Sequence, residues 1–302
     1  MPRATTSSTA KFLVVNVPVA DIRKTPVDRA PGYGHDDLQE TQVLFNEVLA
    51  VGSDQGAWYN VEALEQKKYG AGGTCQGYPG FIRKTAVRPV NSEPVYYSVV
   101  KINSVDVYDA LPPAGRRLFA LSLGTKTKVV EEHSGYSRIE IGDGRFGWID
   151  SKSIGGMRLG SDIASLRSNI MKTAELFLNS PYLWGGRSSS GVDCSGLVNL
   201  AYRANGIDIA RDAKDQRLMS KAIKAEELEP ADLVFVSAND DFGRIVHVML
   251  YAGGENLIES PETGQTVRRI TFKEKFGMTL PELKRAGFVA GNKKVYLGSV
   301  IK

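Results

Sequence analysis

Nucleophile–base chemistry has few possible carriers in this chain, which holds two cysteines and three histidines in 302 residues. Cys194 stands where a glycine-rich turn, Trp184-Gly185-Gly186, gives way to Leu197, Val198, Ala201 and Tyr202 at helical spacing. At a helix start the unpaired N–H groups and the dipole favour negative charge, which lowers a thiol's pKa and increases its thiolate fraction. An inert buried thiol is the alternative at such a position, and an activated cysteine requires a base. His35 lies in a polar segment, 34–37, and His133 in another, 131–135, both read as turns that leave the ring in solvent. His247 instead heads an apolar strand-like run, Val248-Met249-Leu250-Tyr251, a rigid element able to aim an imidazole at a helix end. A core histidine with satisfied hydrogen bonds is the competing reading there. Cys75 reads as a spectator thiol, and two cysteines allow one bridge or two free thiols. A Cys75–Cys194 bridge would remove the nucleophile, and a cytoplasmic setting argues against it.

These residues need elements to position them. Ile163, Leu166, Ile170, Ala174, Phe177 and Leu178 predict a helix capped at Ser161 or Asp162 and ended by Pro181. A second helix runs from Cys194 to a stop at Gly206. Strand-like runs follow at 232–236, 247–251 and 256–258. The region 159–302 is therefore expected to be α+β, helices first and a mostly antiparallel sheet afterwards. Ahead of it, short apolar runs at 12–17, 42–51, 57–61 and 80–82, punctuated by glycine and proline, predict a small β-barrel over 10–90 that closes at Arg88-Pro89. Similar runs from Tyr96 to about Ile154 predict a second barrel over 91–158. The two end alike, Gly80-Phe81-Ile82 against Gly147-Trp148-Ile149, which hints at duplication.

Composition sets outer bounds. With 42% hydrophobic and 24% charged residues the chain matches ordinary globular proteins, and its length implies two or three domains. A net charge of +4 without any run of five like charges argues against a nucleic-acid partner. Lys221 and Lys224 around an apolar pair read as the solvated face of a helix. No CxxC or histidine-rich cluster suggests a metal, and no cofactor is expected. The chain lacks the roughly eighteen apolar residues of a spanning helix, so no membrane association is expected. After Lys11 the apolar run 12–15 is broken by Asn16 and Pro18, unlike a secretory signal. A cytoplasmic location is the expectation.

Four stretches, in this order and spacing, resemble the NlpC-type peptidase family: Pro181-Tyr182-Leu183-Trp184-Gly185-Gly186, Val192-Asp193-Cys194-Ser195-Gly196-Leu197, Asp232-Leu233-Val234-Phe235 and His247-Val248. The resemblance covers about 161–302. It implies a papain-like fold and a cysteine endopeptidase of peptidoglycan peptides, with Cys194 as nucleophile and His247 as base. The two barrel-like segments resemble the branch with two bacterial SH3-like domains. Its members cleave free murein peptides between γ-linked D-glutamate and the diamino acid and require a free N-terminal L-alanine. The implied partner is thus a small murein peptide, L-Ala-γ-D-Glu-diamino acid. By the same likeness Tyr182, Asp193 and Ser195 line the pocket, and the Arg211-Asp212 pair lies at the substrate with Asp212 on its amine. Gln76-Gly77-Tyr78-Pro79-Gly80 and the stretch 41–47 resemble further segments of the branch, placing Tyr78 and Glu47 near that amine. Two carboxylates and a phenol can hold a primary ammonium and close the groove to longer chains. As ordinary barrel-surface residues, Tyr78 and Glu47 would do neither.

The chain departs from the family at two places. Twelve positions after the base, where a histidine is common, stands Glu259. A carboxylate there can accept the imidazole's second N–H and raise its pKa; turned to solvent, it would leave the ring to water. Ala213 follows Arg211-Asp212 where serine is common, removing one pocket hydrogen bond. The expected reaction is attack of the Cys194 thiolate on the γ-D-glutamyl carbonyl, with His247 moving the proton. The Cys194 N–H and, by resemblance, Tyr182 would stabilise the oxyanion. Two other classes stay open: a catalytically weak wall-peptide binding protein, and an acyltransferase using the same Cys–His site. A thiol probe near neutral pH should label a low-pKa Cys194 ahead of Cys75.

Overall fold

The computed structural model describes residues 11–29, 35–69, 73–156 and 162–301. Strands β1 (Phe12–Val15), β2 (Val19–Arg23), β3 (Gln39–Leu44), β4 (Val48–Gln55), β5 (Trp58–Tyr69), β6 (Cys75–Arg83) and β7 (Val87–Val90) form one sheet. Its order is β3-β2-β6-β5-β4-β1-β7, with antiparallel pairing throughout. The 42–51 run divides into β3 and β4 because Asn46 takes a left-handed turn at φ 68. Pro89 is tolerated because β7 ends the sheet.

The next strands are β8 (Ser98–Val100), β9 (Ser104–Tyr108), β10 (Arg117–Ser122), β11 (Lys126–Thr127), β12 (Val129–His133), β13 (Tyr136–Gly142), β14 (Arg145–Asp150) and β15 (Ile154–Gly156). They make a five-stranded sheet, β10-β9-β14-β13-β12, and a three-stranded one, β11-β8-β15. The similar sequence endings have a structural counterpart. Gly80-Phe81-Ile82 and Gly147-Trp148-Ile149 each lead into a one-turn 3₁₀ helix, Lys84–Ala86 or Ser151–Ser153, and then into a short strand.

The C-terminal region begins with α1 (Ile163–Glu175), β16 (Arg187–Ser188), β17 (Gly191–Val192), α2 (Cys194–Arg203) and α3 (Ala213–Met219). A sheet follows, built from β18 (Lys221–Ala222), β19 (Leu233–Ala238), β20 (Asp241–Gly253), β21 (Asn256–Glu259), β22 (Arg268–Thr271), β23 (Val289–Ala290) and β24 (Lys293–Ser299). Its order is β18-β24-β19-β20-β21-β22, with β23 on β24, and α4 (Phe272–Phe276) and α5 (Leu280–Arg285) lie between β22 and β23. Helices followed by an antiparallel sheet are the α+β arrangement expected.

One of the two expected caps is found, and two local expectations change. Asp162 caps α1 by accepting the Ser165 N–H at 2.8 Å, whereas Ser161 lies outside the described residues. The helix ends at Glu175 instead of reaching Pro181, and the chain then turns through Asn179 at φ 67. Lys221 belongs to an exposed edge strand, because pairing with β24 overrides the local helical pattern. The boundary expected at 158–159 also falls outside the described residues.

One core joins all three segments. Leu44 and Leu123 pack with Ile170, Phe177, Leu197 and Phe235 of the C-terminal region. Phe45 inserts among Val100, Leu121, Ile139 and Ile149 of the second segment. The N-terminal sheets are thereby fixed against the helix that begins at Cys194. Among the described residues, no helix is long and apolar enough to cross a membrane, and no cluster of His, Cys, Asp and Glu could hold a metal.

Candidate active site

Asp193 is the N-cap of α2, and its Oδ1 accepts the Gly196 N–H at 2.6 Å, so Cys194 opens the helix. Gly196 is required by contact: a Cβ there would lie 2.2 Å from the Gly186 carbonyl oxygen, backbone against backbone. Arg211, 1% exposed, grips both oxygens of Asp193, Nη2 to Oδ2 at 2.7 Å and Nη1 to Oδ1 at 3.0 Å. It also donates to Ser195 Oγ at 2.9 Å, to Thr41 Oγ1 on β3 at 2.7 Å and, more weakly, to the Gly186 carbonyl at 3.5 Å. Each guanidinium N–H thus has a protein partner. Arg211, expected to touch substrate, borders the cavity but spends its donors on aiming Asp193 and tying the helix start to the first sheet.

His247 lies on β20 and Glu259 ends β21. Leu250 pairs with Ile258, so one step further sets Glu259 opposite Met249, diagonal to His247 on the same face. The twelve-residue spacing is this hairpin diagonal. Glu259, fully buried, has Oε2 at 2.8 Å from His247 Nε2. Arg268 donates to its Oε1 through Nε at 3.0 Å and Nη2 at 2.8 Å, and Lys275 donates to Oε2 at 2.5 Å. An ionised carboxylate only accepts, so Nε2 carries the hydrogen and Nδ1 keeps a lone pair. The carboxylate is therefore against the ring and not in solvent.

Burial opposes ionisation of Glu259, but the His247 hydrogen bond and the charges of His247 and Lys275 outweigh it and hold the carboxyl at about 2. Burial lowers His247 below its ordinary value, with Glu259 opposing and Lys275 reinforcing. Burial also pushes the Cys194 thiol up to about 12; the Asp193 carboxylate adds to the rise, while the Val248 N–H, Arg211 and the Ser195 N–H oppose it. The resting thiolate expected from a helix start is therefore corrected. Burial and the carboxylate that caps the helix thus oppose the thiolate that the helix start favours. Cys75 is exposed and Cys194 only partly so. Tyr182 stays a phenol, its pKa raised by burial and then by Cys194 and Asp193.

One cavity of ≈ 930 Å³ is lined by Cys194, His247 and Tyr182 together with Tyr78, Asp212 and Glu40. Asp193 and Ser195 border it as well, and so does Ala213, without the hydroxyl that serine would add. The Tyr78 hydroxyl lies 3.0 Å from Asp212 Oδ1 and 3.2 Å from Glu40 Oε2. Asp212 is the N-cap of α3 yet makes no side-chain capping bond, which leaves its carboxylate to the cavity. Glu47 is not there. It is 4% exposed, ion-paired to Arg187 through Oε1 and bound by Gln66 Nε2 at 3.1 Å. Glu40, from β3, stands beside Tyr78 instead. It occupies a partly exposed position between buried Gln39 and Thr41, and was missed in the sequence. His35, read as a solvated turn residue, is exposed but lies against the cavity's Trp184, rings tilted by 50° with centroids 4.6 Å apart.

Residues 179–279 match the NlpC/P60 family. The gamma-D-glutamyl-L-lysine dipeptidyl-peptidase of Bacillus subtilis (strain 168) is 30% identical over 261 residues, covering 84% of this chain and 82% of the relative. The protein of the same name from Bacillus cereus (strain ATCC 10987 / NRS 248) is 27% identical over 238 residues, covering 76% and 70%. The crystal structure of an NlpC/P60 family protein from Bacillus cereus ATCC 10987 superposes with a TM-score of 0.78 at 20% identity, spanning 96% of this chain and 100% of that one. The likeness in fold thus includes the N-terminal sheets. Sequence identity extending so far beyond the Cys194–Glu259 region, over most of both chains, makes the protein a member of the NlpC/P60 family, a peptidoglycan-related cysteine peptidase.

Proposed function

We propose that the protein cuts free murein peptides, L-Ala-γ-D-Glu-diamino acid, at the γ-D-glutamyl bond. The carrying observation is that one cavity is lined both by Cys194 and His247 and by the Tyr78–Asp212–Glu40 cluster. In this reading the first group suits acyl attack and the second, at the amine end, a primary ammonium. In this reading His247 Nδ1 takes the thiol proton as Cys194 Sγ attacks the carbonyl carbon. The Cys194 N–H and the Tyr182 phenol meet the oxyanion. Collapse expels the diamino acid, whose amine receives the proton from His247. Water activated by the same imidazole then splits the thioester, releasing L-Ala-D-Glu and restoring the thiol. Glu259 orients the ring, and Asp193 and Ser195 shape the pocket.

The ammonium of the substrate's alanine lies between Asp212 and Glu40 against Tyr78, which stops the groove two residues from the cut. Segments 10–90 and 91–158 serve as SH3-like units, the first closing the amine end. The recurring strand–3₁₀–strand unit supports that pairing. The names of the two relatives favour L-lysine as the diamino acid. The experiment offers L-Ala-γ-D-Glu-L-Lys and its diaminopimelate counterpart, each with the amine free or acetylated, and follows products by mass spectrometry. Free peptides should release L-Ala-D-Glu, acetylated ones should not, and Cys194→Ala or His247→Ala should abolish release. Equal cleavage of both forms would remove the amine site; hydrolysis by Cys194→Ala would remove the nucleophile.

A further inference from the structure

The amine end of the cavity already holds a cation. Lys68 Nζ lies 3.8 Å from Glu40 Oε2 and 3.9 Å from Asp212 Oδ2. It stands over the Tyr78 ring, 4.1 Å from the centroid, and Lys68 itself lines the cavity. Glu40, Asp212 and Tyr78 are the groups assigned above to the substrate's ammonium.

The chain is built to hold that lysine in place. β5 and β6 pair Ala63 with Tyr78 and next Lys67 with Gly77, so residues 64–66 bulge out of the ladder. The bulge buries Gln66 against Thr41 and Glu47. On both sides of Lys68 the backbone is bonded to the C-terminal region: the Lys67 carbonyl accepts the Arg211 N–H at 3.0 Å, and the Tyr69 N–H donates to Asp215 Oδ2 at 3.3 Å. Only the flexible stem of Lys68 is left to swing.

Charge balance gives the arrangement a purpose. Glu40 and Asp212 flank a single phenol hydrogen, which can serve one of them at a time, and two carboxylates so close repel. Lys68 offsets one of the two negative charges and leaves the other for an incoming ammonium. Its contacts, at 3.8 and 3.9 Å, are longer than direct hydrogen bonds. A compact α-ammonium that comes within hydrogen-bonding distance can therefore displace it toward solvent.

Resting on the amine-site reading, we propose that Lys68 is a resident cation of that site, which keeps the paired carboxylates compatible in the free enzyme and competes with the substrate's amine for them. Lys68 thereby sets how tightly free-amine peptides are held. The test measures calorimetric Kd values for L-Ala-γ-D-Glu-L-Lys and its N-acetyl form in a Cys194→Ala background, where binding is read without turnover. Adding Lys68→Met should tighten the free-amine peptide about fivefold or more, the effect of removing a unit charge ~4 Å away even at the dielectric of water. Lys68→Arg, which keeps the charge, should bind like the parent, and the acetylated peptide should gain nothing from Lys68→Met. An unchanged or weaker Kd in Lys68→Met would overturn the proposal, making Lys68 a support of the site and not its occupant. If the parent binds both peptides equally, the amine-site reading fails first and the resident cation with it.

Discussion

His247 can act as a base only while its Nδ1 lone pair is free, and burial keeps its pKa below the ordinary 6.5. Such a base is already neutral at pH 7, so kcat/KM should be flat there and decline only on the acid side, below about pH 6.5. An acid limb centred above pH 7 would contradict the environment described for the ring. Glu259 opposes the lowering. Glu259→Gln should therefore move the acid limb further down while cutting kcat about 10²-fold or more, because an amide neither fixes the tautomer nor steadies the imidazolium. The two groups also make folding stability depend on pH in one direction. With a folded pKa of about 2 against an ordinary 4.5, Glu259 stabilises the fold above pH 4.5, and that contribution is lost as pH falls toward 2. His247, lowered in the fold, adds a penalty below pH 6.5, where the unfolded ring takes up a proton that the folded one refuses. Urea midpoints should fall steadily from pH 7 to pH 3, and Glu259→Gln should flatten the portion below 4.5.

At the scale of elements, the helix start and the β20–β21 hairpin are what bring these residues together. The helix start was legible in the sequence as a small-residue turn before Cys194, whereas Glu259 was found through the family pattern, twelve positions after His247, and the hairpin diagonal behind that spacing is seen only in the structure. The rise in the Cys194 thiol's pKa was not legible, since it comes first from burial and then from Asp193, with the Val248 N–H and Arg211 opposing, groups that meet around one sulfur only in the fold. The end of α1 and the fate of Lys221 were missed for a related reason, with strand pairing and a left-handed Asn179 overriding periodicity. Gly196 shows how tightly the helix start is fitted. Its missing Cβ allows approach to the Gly186 carbonyl, and Gly196→Ala would force α2 and the loop before it apart. We expect that substitution to cost about 1–3 kcal/mol, the range for overpacking. Activity should fall further than stability, because the shifted residues carry Cys194 and Tyr182. Thermal denaturation and kcat, measured on the same preparation, check both parts; full activity at reduced Tm would show that the fit is not needed for chemistry.

Across the whole molecule, a buried polar seam binds the N-terminal sheets to the C-terminal region. Arg211 reaches Thr41, Thr41 reaches Gln66 at 2.7 Å, Gln66 reaches Glu47, and Glu47 pairs with Arg187, which in turn donates to Asn199 of α2 at 2.6 Å. No local pattern announces this seam, because Glu47 and Arg187 are 140 positions apart. That is why Glu47 was read as a ligand of the substrate when it is a ligand of the scaffold, while Glu40 took its place at the cavity. The two carboxylates now make opposite predictions. Glu47→Gln leaves Arg187, 1% exposed, without its counter-charge and should cost about 3–5 kcal/mol. It should leave the preference for free over acetylated peptide unaltered. Glu40→Gln, on a cavity wall that water already reaches, should leave the unfolding midpoint nearly unmoved and reduce that preference about tenfold, as expected for losing a charge-assisted hydrogen bond. Because the seam and the shared Leu44–Leu123 core couple all three segments, Glu47→Gln should still unfold in one transition, seen alike by far-UV dichroism and tryptophan fluorescence. Two separate transitions would mean that the sheets and the peptidase region are stable apart, and that the seam merely aligns them.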